Sequence, residues 1–328
     1  MNAVVLAMAP DLPSKLFPPP IAARLGETGP VLTEFTSDAA RAQLAGARVL
    51  LTGWGCPMIG DDVLAAAPRL EAVVHAAGTV KAHVGPAVFA RGITVSSAAA
   101  ANAVPVAEYT LAMILLANKA VPMLAAAYRA RRGALDLRAG FPDIGNFGKT
   151  VGVLGASKIG RRLIELLKPF DLDVLVADPY VDKSTADELG VRLVGIDELF
   201  AAGDVVSIHA PAVPATDGLV TARLLASMRT GATLINTARG SLVDTGALIA
   251  ELRRGRISAV LDVTEPEVTE PHSPLWELPN VQLTPHVAGA MGNELARLGA
   301  AAADEVRRVL TGAPLRHAVD PATLSVTA

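Results

Sequence analysis

Three side chains in the second half of the chain have the chemistry of an acid–base and carboxylate-binding site: Arg239, Glu267 and His286. A planar guanidinium can hold a carboxylate through two parallel hydrogen bonds, which fixes its orientation as well as its position. Histidine ordinarily titrates near neutral pH and can give or take a hydroxyl proton, and a neighbouring carboxylate fixes the tautomer of its ring. Beside a nicotinamide cofactor, these groups suit hydride transfer between a 2-hydroxy acid and a 2-keto acid.

These groups follow predicted strands of one parallel sheet, and ligands of such sheets bind at the carboxyl ends of the strands. The groups at the predicted strand ends are the Gly155 loop, Asp178, His209 with Pro211, Thr237 with Ala238 and Arg239, Asp262, and His286. Single members of this set have ordinary explanations. His209 could equally be a loop histidine with a satisfied hydrogen bond, and Asp262 could cap the following turn. The set as a whole predicts a ligand site at this edge.

A glycine-containing turn supplies the expected cofactor site. Residues 155–160 read Gly-Ala-Ser-Lys-Ile-Gly between an apolar strand and an amphipathic helix, whose first N–H groups can bind an anion. Asp178 ends the next strand, at the spacing expected of a carboxylate that binds a ribose hydroxyl. The motif departs from G-x-G-x-x-G at Ser157, which must hydrogen-bond a phosphate or hold it slightly farther away. Alone, the motif could equally be a plain strand-to-helix turn.

The elements that position these groups alternate between strand and helix along the chain. In residues 1–101, strands are predicted at 3–7, 47–52, 70–75 and 93–96, with a capped helix at 37–46. A second series has predicted strands at 151–154, 174–177, 191–194, 205–208, 233–236, 258–261 and 281–284, and a last helix at 292–310. Alternation of this kind predicts parallel sheets with right-handed crossovers.

The predicted fold is therefore α/β, with two Rossmann-like or flavodoxin-like doubly wound parallel-sheet domains and a cleft between them. Residues 102–288 are predicted to form the nucleotide-binding domain. Residues 1–101 with 289–328 are predicted to form the other domain, because the last helix returns to it and no glycine-rich phosphate loop occurs in this part. Residues 133–149 are predicted to be an irregular connector.

One long helix, predicted at 104–131, is apolar nearly all round, which is typical of a helix buried on most sides. It could form a domain core or a subunit interface, and we favour the interface. Its stretch 104–124 contains Glu108 and Lys119, so it is predicted to fall short of an uncharged membrane span.

Composition excludes several classes of function. The formal net charge of −3 offers no basic surface for nucleic acid. Cys56 is the only cysteine, which excludes a disulfide framework and a site with several thiolates, and no His-x-x-x-His pair occurs. We therefore predict no metal. Without a convincing targeting segment, we expect a soluble cytoplasmic protein with no membrane or nucleic-acid partner.

Several segments together resemble the NAD-dependent D-isomer-specific 2-hydroxyacid dehydrogenases. From about residue 70 onward the similar segments are 101–108, 155–160, 177–180, 235–244, 261–267, 283–289 and 312–316, in that order. Upstream of residue 70 the resemblance is one of pattern alone. The resemblance implies Arg239 as the group that binds the substrate carboxylate, His286 as the acid–base and Glu267 as its partner. Glu267 is chosen over Glu265 because the family's glutamate lies five residues beyond the aspartate that matches Asp262, although Val268 stands where the family usually has proline.

The resemblance also implies binding residues. The substrate carboxylate would meet backbone amides of the loop at Ala77, Gly78, Thr79 and Val80, besides Arg239 and His286. The cofactor-binding residues would be Gly155, Ser157, Lys158, Ile159, Gly160, Asp178, His209, Pro211, Thr237, Ala238, Arg239, Asp262 and His286. Among them, Asp262 would hydrogen-bond the nicotinamide amide, and Asp178 would favour NAD over NADP. The helix at 104–131 resembles the family's dimerisation element, so we expect a homodimer.

Two other interpretations use the same scaffold. One is a non-catalytic NAD(H)-binding sensor or corepressor, since a fold does not determine a function. The other is a formate dehydrogenase. Glu267 disfavours it, because the sequence pattern of those enzymes has glutamine at the position of Glu267. The substrate itself is not determined: Lys81, His83 and Arg91 near the substrate loop could meet a phosphate or second carboxylate, although we favour solvated surface charges.

Overall fold

The chain divides into two compact units, described by a computed structural model for residues 2–140 and 143–324. Unit 1 comprises Met1–Ala103 and Ala290–Ala328, and unit 2 comprises Val104–Gly289. The sequence predicts that the chain passes from one domain to the other between residues 101 and 102 and returns between residues 288 and 289. Parts of the predicted connector at 133–149 and of the predicted first domain, namely residues 1, 141–142 and 325–328, lie outside the described residues.

Unit 1 is built on a five-stranded parallel sheet of order β2-β1-β3-β4-β5. The strands are β1 (Val4–Ala7), β2 (Thr28–Leu32), β3 (Val49–Thr52), β4 (Ala72–His75) and β5 (Thr94–Ser97). The helices between them are α1 (Pro13–Leu16), α2 (Pro19–Leu25), α3 (Asp38–Leu44), α4 (Asp61–Ala66) and α5 (Pro86–Ala90). The Ser37 hydroxyl caps α3 by accepting from the N–H of Ala40, as its sequence predicts.

The sequence did not predict β2, for a physical reason. Its residues Thr-Gly-Pro-Val-Leu include a glycine, which weakens strand propensity, and a proline, which cannot donate to a ladder. Because β2 is an edge strand that pairs only with β1 among the described strands, the proline is tolerated there.

The predicted single helix at 104–131 is wrong: the structure has two helices, α6 (Ala99–Asn118) and α7 (Val121–Arg131), followed by the short α8 (Leu137–Gly140). Ala120 adopts a left-handed conformation with φ of +49°, which ends the first helix. Pro122 then lies in the first turn of α7, where its missing N–H has no intrahelical partner to lose.

By length and composition alone, α6 could cross a membrane, with a mean hydropathy of 1.5 over its most apolar window. The predicted disqualifying residue Lys119 lies just beyond its end. This is weak evidence for a membrane segment, because the core helix of a soluble protein passes the same test. Ala107 and Ile114 of this helix are fully buried in a core cluster of unit 2.

Unit 2 is built on a seven-stranded parallel sheet of order β12-β11-β10-β9-β6-β7-β8. The strands are β6 (Lys149–Leu154), β7 (Leu172–Ala177), β8 (Arg192–Leu193), β9 (Val205–Ile208), β10 (Thr233–Asn236), β11 (Ser258–Leu261) and β12 (Val281–Leu283). The intervening helices are α9 (Lys158–Leu167), α10 (Lys183–Leu189), α11 (Ile196–Ala202), α12 (Ala222–Ser227) and α13 (Thr245–Arg253). Short 3₁₀ turns lie at Pro214–Thr216, Gly240–Leu242 and Pro274–Trp276.

The strand order of unit 2 reverses at β6, which pairs with β7 on one side and β9 on the other. A crevice opens at such a switch point, beyond the carboxyl ends of the strands. The Gly155 loop follows β6 and therefore lies at the switch point, as a dinucleotide site requires.

After a 3₁₀ turn at Gly292–Glu294, the last helix, α14 (Leu295–Leu310), returns to unit 1. The Asn102 side chain accepts a hydrogen bond from the N–H of Ala290 (2.9 Å), which joins the points where the chain leaves and re-enters this unit. Gly299 of α14 packs directly on α1, because a Cβ there would lie 1.7 Å from the carbonyl oxygen of Leu16.

Both sheets are covered on both faces. In β1, Val5 and Ala7 pack in one core cluster, whereas Val4 and Leu6 pack in the cluster that contains α14. Unit 2 likewise has a core cluster on each side of its sheet. Buried alternation of this kind explains the nearly continuous apolar strands. The predicted fold class, two doubly wound parallel-sheet α/β domains, is confirmed.

We expect Gly299→Ala to destabilise unit 1, because the added Cβ would force the Leu16 backbone to move. Overpacking costs about 1–3 kcal/mol of unfolding free energy, and a backbone clash puts this site at the upper end. The matched control is Gly246→Ala in α13, where the Cβ would meet the Asp244 carboxylate at 3.5 Å and should be neutral or stabilising by up to about 1 kcal/mol. Equal denaturant midpoints for the two variants would contradict the expectation.

Candidate active site

The loop after β6 passes so close to the loop after β9 that glycine is required at its first position. Gly155 has a φ of +97°, and a Cβ there would lie 2.7 Å from the backbone nitrogen of Ala210. Gly160 lies in the first turn of α9, where a Cβ would lie 2.1 Å from the Gly155 carbonyl oxygen. These two close approaches bring the helix N-terminus against the strand end, where free N–H groups can bind a phosphate.

Ser157, in place of the second glycine, is the N-cap of α9. Its hydroxyl oxygen accepts from the N–H of Gly160 at 3.4 Å, a long contact that leaves the hydroxyl hydrogen available to donate. Lys158, exposed, and Ile159, half-buried, begin the helix after it. The serine therefore adds a donor at the helix terminus while it removes one N–H from the set available to a phosphate.

Asp178, at the end of β7, holds the glycine loop by its carboxylate. Its Oδ2 accepts from the backbone N–H of Ala156 (2.7 Å), and its Oδ1 accepts from that of Tyr180 (2.8 Å). Each oxygen retains a lone pair for a further donor such as a ribose hydroxyl. The side chain is half-buried, so it remains accessible.

His209, at the end of β9, is fully buried, and its Nε2 lies 2.8 Å from the Ser207 hydroxyl. Its Nδ1 is buried and has no hydrogen-bond partner among residues 2–140 and 143–324. An unpaired buried nitrogen beside the glycine loop is a free group for a bound ligand. The carbonyl of Pro211 accepts from the Thr216 hydroxyl (2.6 Å), which holds the loop that follows.

The turn after β10 is held by a residue that the sequence did not single out as functional. The Asn236 amide nitrogen donates to the Arg239 carbonyl (2.8 Å), and its amide oxygen accepts from the N–H of Ala238 (3.0 Å). Thr237 is buried, with its hydroxyl 3.3 Å from that of Thr110. The exposed Arg239 guanidinium donates to the Ala238 carbonyl (2.6 Å). Asn236 could have been found, because it stands in the segment 235–244 that carries the family resemblance.

Gly240 brings this turn against the one that follows β11. A Cβ at Gly240 would lie 2.0 Å from the carbonyl carbon of Thr264 and 2.4 Å from the nitrogen of Glu265. The Thr264 hydroxyl in turn donates to the carbonyl oxygens of Pro266 (2.7 Å) and Glu267 (3.1 Å). The backbones that carry Arg239 and Glu267 are therefore in direct contact.

Of the two glutamates that the sequence left open, Glu267 meets the imidazole. Its Oε1 lies 2.5 Å from Nδ1 of His286, and the two side chains are 58% and 45% exposed. For this contact to be a hydrogen bond, Nδ1 must carry a proton, so Nε2 is the ring atom left for another partner. The pair follows two neighbouring strands, β11 and β12, at their carboxyl ends.

Asp262 holds the loop that presents His286. This buried carboxylate accepts from the Thr284 hydroxyl (2.6 Å) and from the backbone N–H groups of Val287 (2.8 Å) and Ala288 (2.9 Å). The backbone carbonyl oxygen of Asp262 accepts from the N–H of His286 (2.9 Å). His286 has a φ of +54°, a left-handed conformation that these bonds stabilise. The predicted contact of Asp262 with the nicotinamide amide stays a prediction.

Tyr109 of α6 also takes part, although the sequence gave no reason to choose it. Its hydroxyl lies 2.8 Å from that of Thr284, which itself donates to Asp262. Burial raises the pKa of this phenol above its ordinary value, so it stays protonated at neutral pH. The Tyr109–Thr284–Asp262 chain therefore anchors the His286 loop on α6.

The predicted substrate loop belongs to unit 1. Ala77, Gly78 and Thr79 follow β4, and Ala77 is fully buried, whereas the two residues after it are half-buried. The prediction that His83 is a solvated surface group is wrong, since it is 4% exposed. Lys81 and Arg91 are exposed. Among the described residues, no group of three or more His, Cys, Asp or Glu side chains could hold a metal ion.

Unit 2 thus has the parts of a dinucleotide site. These are a cradle that a Cβ would fill at Gly155, free N–H groups at the start of α9, the Asp178 carboxylate and the unpaired Nδ1 of His209. Ser157, Lys158 and Ile159 line the helix start, and Thr237, Ala238 and Asp262 lie at the ends of β10 and β11.

Comparisons with known proteins also indicate a dinucleotide site in this part of the chain. Residues 111–288 match the sequence model of the NAD-binding domain of D-isomer specific 2-hydroxyacid dehydrogenases. The chain is 37% identical over 265 residues to a D-3-phosphoglycerate dehydrogenase from Mycobacterium tuberculosis, covering 80% of this chain and 49% of that protein. It is 35% identical over 256 residues to a glyoxylate reductase from Aeropyrum pernix, covering 76% of each.

A crystal structure of a Thermus thermophilus protein superposes with a TM-score of 0.75 at 29% identity, covering 97% of this chain and 100% of that one. The chain spans about half the length of the phosphoglycerate dehydrogenases that it matches. The family match and the parts of unit 2 agree on NAD as the cofactor.

We expect the free energy of unfolding to fall between pH 7 and pH 5. Burial lowers the pKa of His209 and of His75 to about 3, the latter also through the charge of His83, and burial lowers that of His83 to about 4. The unfolded chain protonates these rings near pH 6.5, whereas the folded state keeps them neutral, so their stabilisation is complete above that pH and is lost towards pH 4 and 3.

Each of these histidines can lower the unfolding free energy by at most about 1.4 kcal/mol per pH unit, which denaturant titrations at pH 7, 6 and 5 can measure. His209→Gln should make the unfolding free energy depend less steeply on pH, because one of the three buried histidines no longer contributes. A free energy independent of pH over this interval would show that the rings are not held neutral.

Proposed function

Because this chain belongs to the D-isomer specific 2-hydroxyacid dehydrogenase family, we propose that it interconverts a 2-keto acid and the corresponding D-2-hydroxy acid with NAD. The observation that carries the proposal is the 2.5 Å contact between His286 Nδ1 and Glu267 Oε1, on the sheet edge that also carries Arg239. A proton donor held by a carboxylate has a use in this reaction, whereas a protein that merely binds NAD needs none.

In this proposal His286 moves the proton. With Nδ1–H donated to Glu267, Nε2 gives a proton to the keto oxygen during reduction and takes one from the hydroxyl during oxidation. The carboxylate of Glu267 fixes this tautomer and stabilises the ring when both nitrogens carry protons. The cofactor, when bound, would supply the hydride to the keto carbon as NADH and would accept it from the hydroxy acid as NAD.

Arg239 binds the substrate carboxylate in the proposed reaction. Its guanidinium has five N–H donors in a fixed fork, and the one contact to Ala238 leaves others for a bidentate pair. A carboxylate fixed in this way holds the adjacent carbonyl carbon in one orientation relative to His286. In unit 1, the family resemblance assigns substrate-carboxylate binding to the backbone N–H groups of Gly78, Thr79 and Val80, which donate to no other residue that the structure describes.

The experiment that tests the function follows NADH oxidation by the purified chain with a panel of 2-keto acids, and NAD reduction with D- and L-2-hydroxy acids. Because the relatives are named for D-3-phosphoglycerate and glyoxylate, the 2-hydroxy acids include D-3-phosphoglycerate, and the 2-keto acids include glyoxylate besides pyruvate, hydroxypyruvate and branched-chain 2-keto acids. Turnover of D-isomers alone supports the proposal. NADH binding without turnover of any member would favour a non-catalytic NAD(H) sensor or corepressor instead.

Two substitutions separate the proposed roles. His286→Ala removes the proton donor, so kcat should fall by about 10²-fold or more while the Kd for NADH stays within about twofold. Arg239→Ala removes the carboxylate ligand and should cost roughly 2–5 kcal/mol in kcat/KM.

The matched control is Arg192→Ala, an exposed arginine on the opposite edge strand β8, paired with Glu198. It should leave kcat/KM unchanged. Near-wild-type kinetics for His286→Ala or Arg239→Ala would remove that residue from the site.

We further propose a homodimer through α7 and the end of α6. The apolar side chains of Leu116, Val121, Met123 and Tyr128 are exposed there, Tyr128 by 62%, and α7 has no buried residue in the single chain. Exposed apolar side chains grouped on neighbouring turns are typical of an interaction surface. A second copy of this chain is the occupant that the family resemblance implies.

Sedimentation velocity tests the dimer. Val121→Glu with Met123→Glu should convert a dimer into a monomer at micromolar concentration, because charges at the core of an interface lose hydration without gaining partners. Phe170→Glu, on an exposed apolar residue after α9, is the control and should leave the mass unchanged. A monomeric wild-type protein would refute the proposal.

A further inference from the structure

A buried threonine hydroxyl of unit 1 joins the ends of two neighbouring strands. Thr52 ends β3 and His75 ends β4, and the two are register partners in the parallel sheet. The Thr52 Oγ1 lies 2.9 Å from Nδ1 of His75, and both side chains are almost entirely buried. In the sheet itself, the backbone of Thr52 also accepts from the N–H of Ala76 (2.8 Å).

The same hydroxyl contacts a second histidine. Nε2 of His83 lies 3.3 Å from Thr52 Oγ1, and the rings of His75 and His83 pack with centroids 4.3 Å apart. His75 immediately precedes residues 76–82 and His83 immediately follows them. One hydroxyl therefore contacts the residues at both ends of this loop.

The Thr52 hydroxyl can serve both rings, although it also lies 3.5 Å from the carbonyl oxygen of Val74. A hydroxyl has one proton to donate and can accept others, so one facing ring nitrogen can accept from Thr52 while the other donates to it. Burial keeps both rings uncharged at neutral pH, with the pKa lowered to about 3 for His75 and about 4 for His83. Two neutral rings can then share the hydroxyl without a buried charge.

The loop between the two histidines carries unused donors. The backbone N–H groups of Gly78, Thr79 and Val80 donate to no other residue in the part of the chain that the structure describes. The carbonyl of Ala77 accepts from the N–H of Ala98 (3.0 Å), and that of Val80 accepts from the N–H groups of His83 (3.1 Å) and Val84 (3.0 Å). The loop is thus held through the carbonyl groups of Ala77 and Val80, while the N–H groups of residues 78–80 stay free.

We propose that Thr52, His75 and His83 form a positioning clamp that holds loop 76–82 in the conformation that binds the substrate carboxylate. The inference rests on the proposed function, because that function gives the free amides of residues 78–80 their ligand. A loop ordered before binding loses less conformational freedom when the ligand arrives, so the clamp acts on substrate affinity rather than on proton transfer. The three residues are positioning residues that touch no reacting atom.

The first experiment measures the loop itself, without any substrate. Thr52→Val keeps the shape of the side chain and removes the hydroxyl, so hydrogen exchange at the amides of Ile59, His83 and Val84 should become about tenfold faster. These amides are chosen because those of His83 and Val84 donate to the carbonyl of Val80 in the loop, and that of Ile59 donates to the carbonyl of His83. Thr52→Ser should restore the slow exchange.

The matched control is Ser96→Ala on the neighbouring strand β5. Ser96 is fully buried and its hydroxyl has no partner among the described residues, so its loss removes a buried oxygen without touching the clamp. This variant should leave exchange at the three amides unchanged.

A second variant, His83→Leu, breaks the clamp from its other end and should accelerate exchange in the same way.

The second experiment uses the active enzyme. Thr52→Val should raise KM for the 2-keto acid about tenfold, leave kcat within about twofold, and leave the Kd for NADH unchanged, since the proposed cofactor residues belong to unit 2. Thr52→Ser should restore KM. If the wild-type chain turns over no 2-keto acid, the proposed function fails, and the exchange experiment still decides whether the clamp orders the loop.

Three results would overturn the proposal. Unchanged exchange in folded Thr52→Val and His83→Leu would show that the clamp does not hold the loop. Faster exchange with an unchanged KM would show that the loop conformation does not serve the substrate. Failure of both variants to fold, while Ser96→Ala folds, would make the clamp a determinant of the whole sheet.

Discussion

The geometry of the candidate site depends on the buried carboxylate of Asp262. It accepts hydrogen bonds from the Thr284 hydroxyl and from the backbone N–H groups of Val287 and Ala288, so the chain must bend over the two residues between them, Pro285 and His286. The bend gives His286 a left-handed backbone conformation. Three hydrogen bonds to one carboxylate can together hold an unfavourable backbone angle. The contact of the imidazole with Glu267 follows from this placement.

Close backbone approaches hold the other strand ends together in unit 2. Gly155, Gly160 and Gly240 each occupy a position where a single methyl group would collide with a neighbouring backbone. The first two bring the start of α9 against β6, and the third brings the turn of Arg239 against the turn that leads to Glu267. Because parallel strands end at one edge, such contacts gather side chains from distant parts of the sequence into one place. Asn236 adds the hydrogen bonds that keep the Arg239 turn closed.

In unit 1, uncharged side chains hold the loop that follows strand β4. Thr52, His75 and His83 are buried together, and none of them needs a charged partner because burial keeps both rings uncharged at neutral pH. The loop between the histidines keeps its central N–H groups free, which is the property that a carboxylate-binding loop requires. A buried carboxylate in unit 2 and a buried hydroxyl in unit 1 thus perform the same task of fixing a loop whose free groups are available to a ligand.

The sequence by itself determined the fold class and both glycine positions of the cofactor turn, because strand alternation and the spacing of short motifs are local properties. It predicted Arg239, Glu267 and His286 as a site from their places after strand ends and from the family resemblance. It missed β2, whose glycine and proline hide an edge strand, and it joined α6 to α7 because the left-handed conformation of Ala120 has no signature in an apolar run. It also placed His83 at the surface. Tertiary structure alone decided that Glu267 meets the imidazole, that Tyr109 and Thr284 support Asp262, and that His75 and His83 share one hydroxyl. These contacts join residues far apart in the chain, and their partners depend on which strands become neighbours, a relation that no local pattern contains.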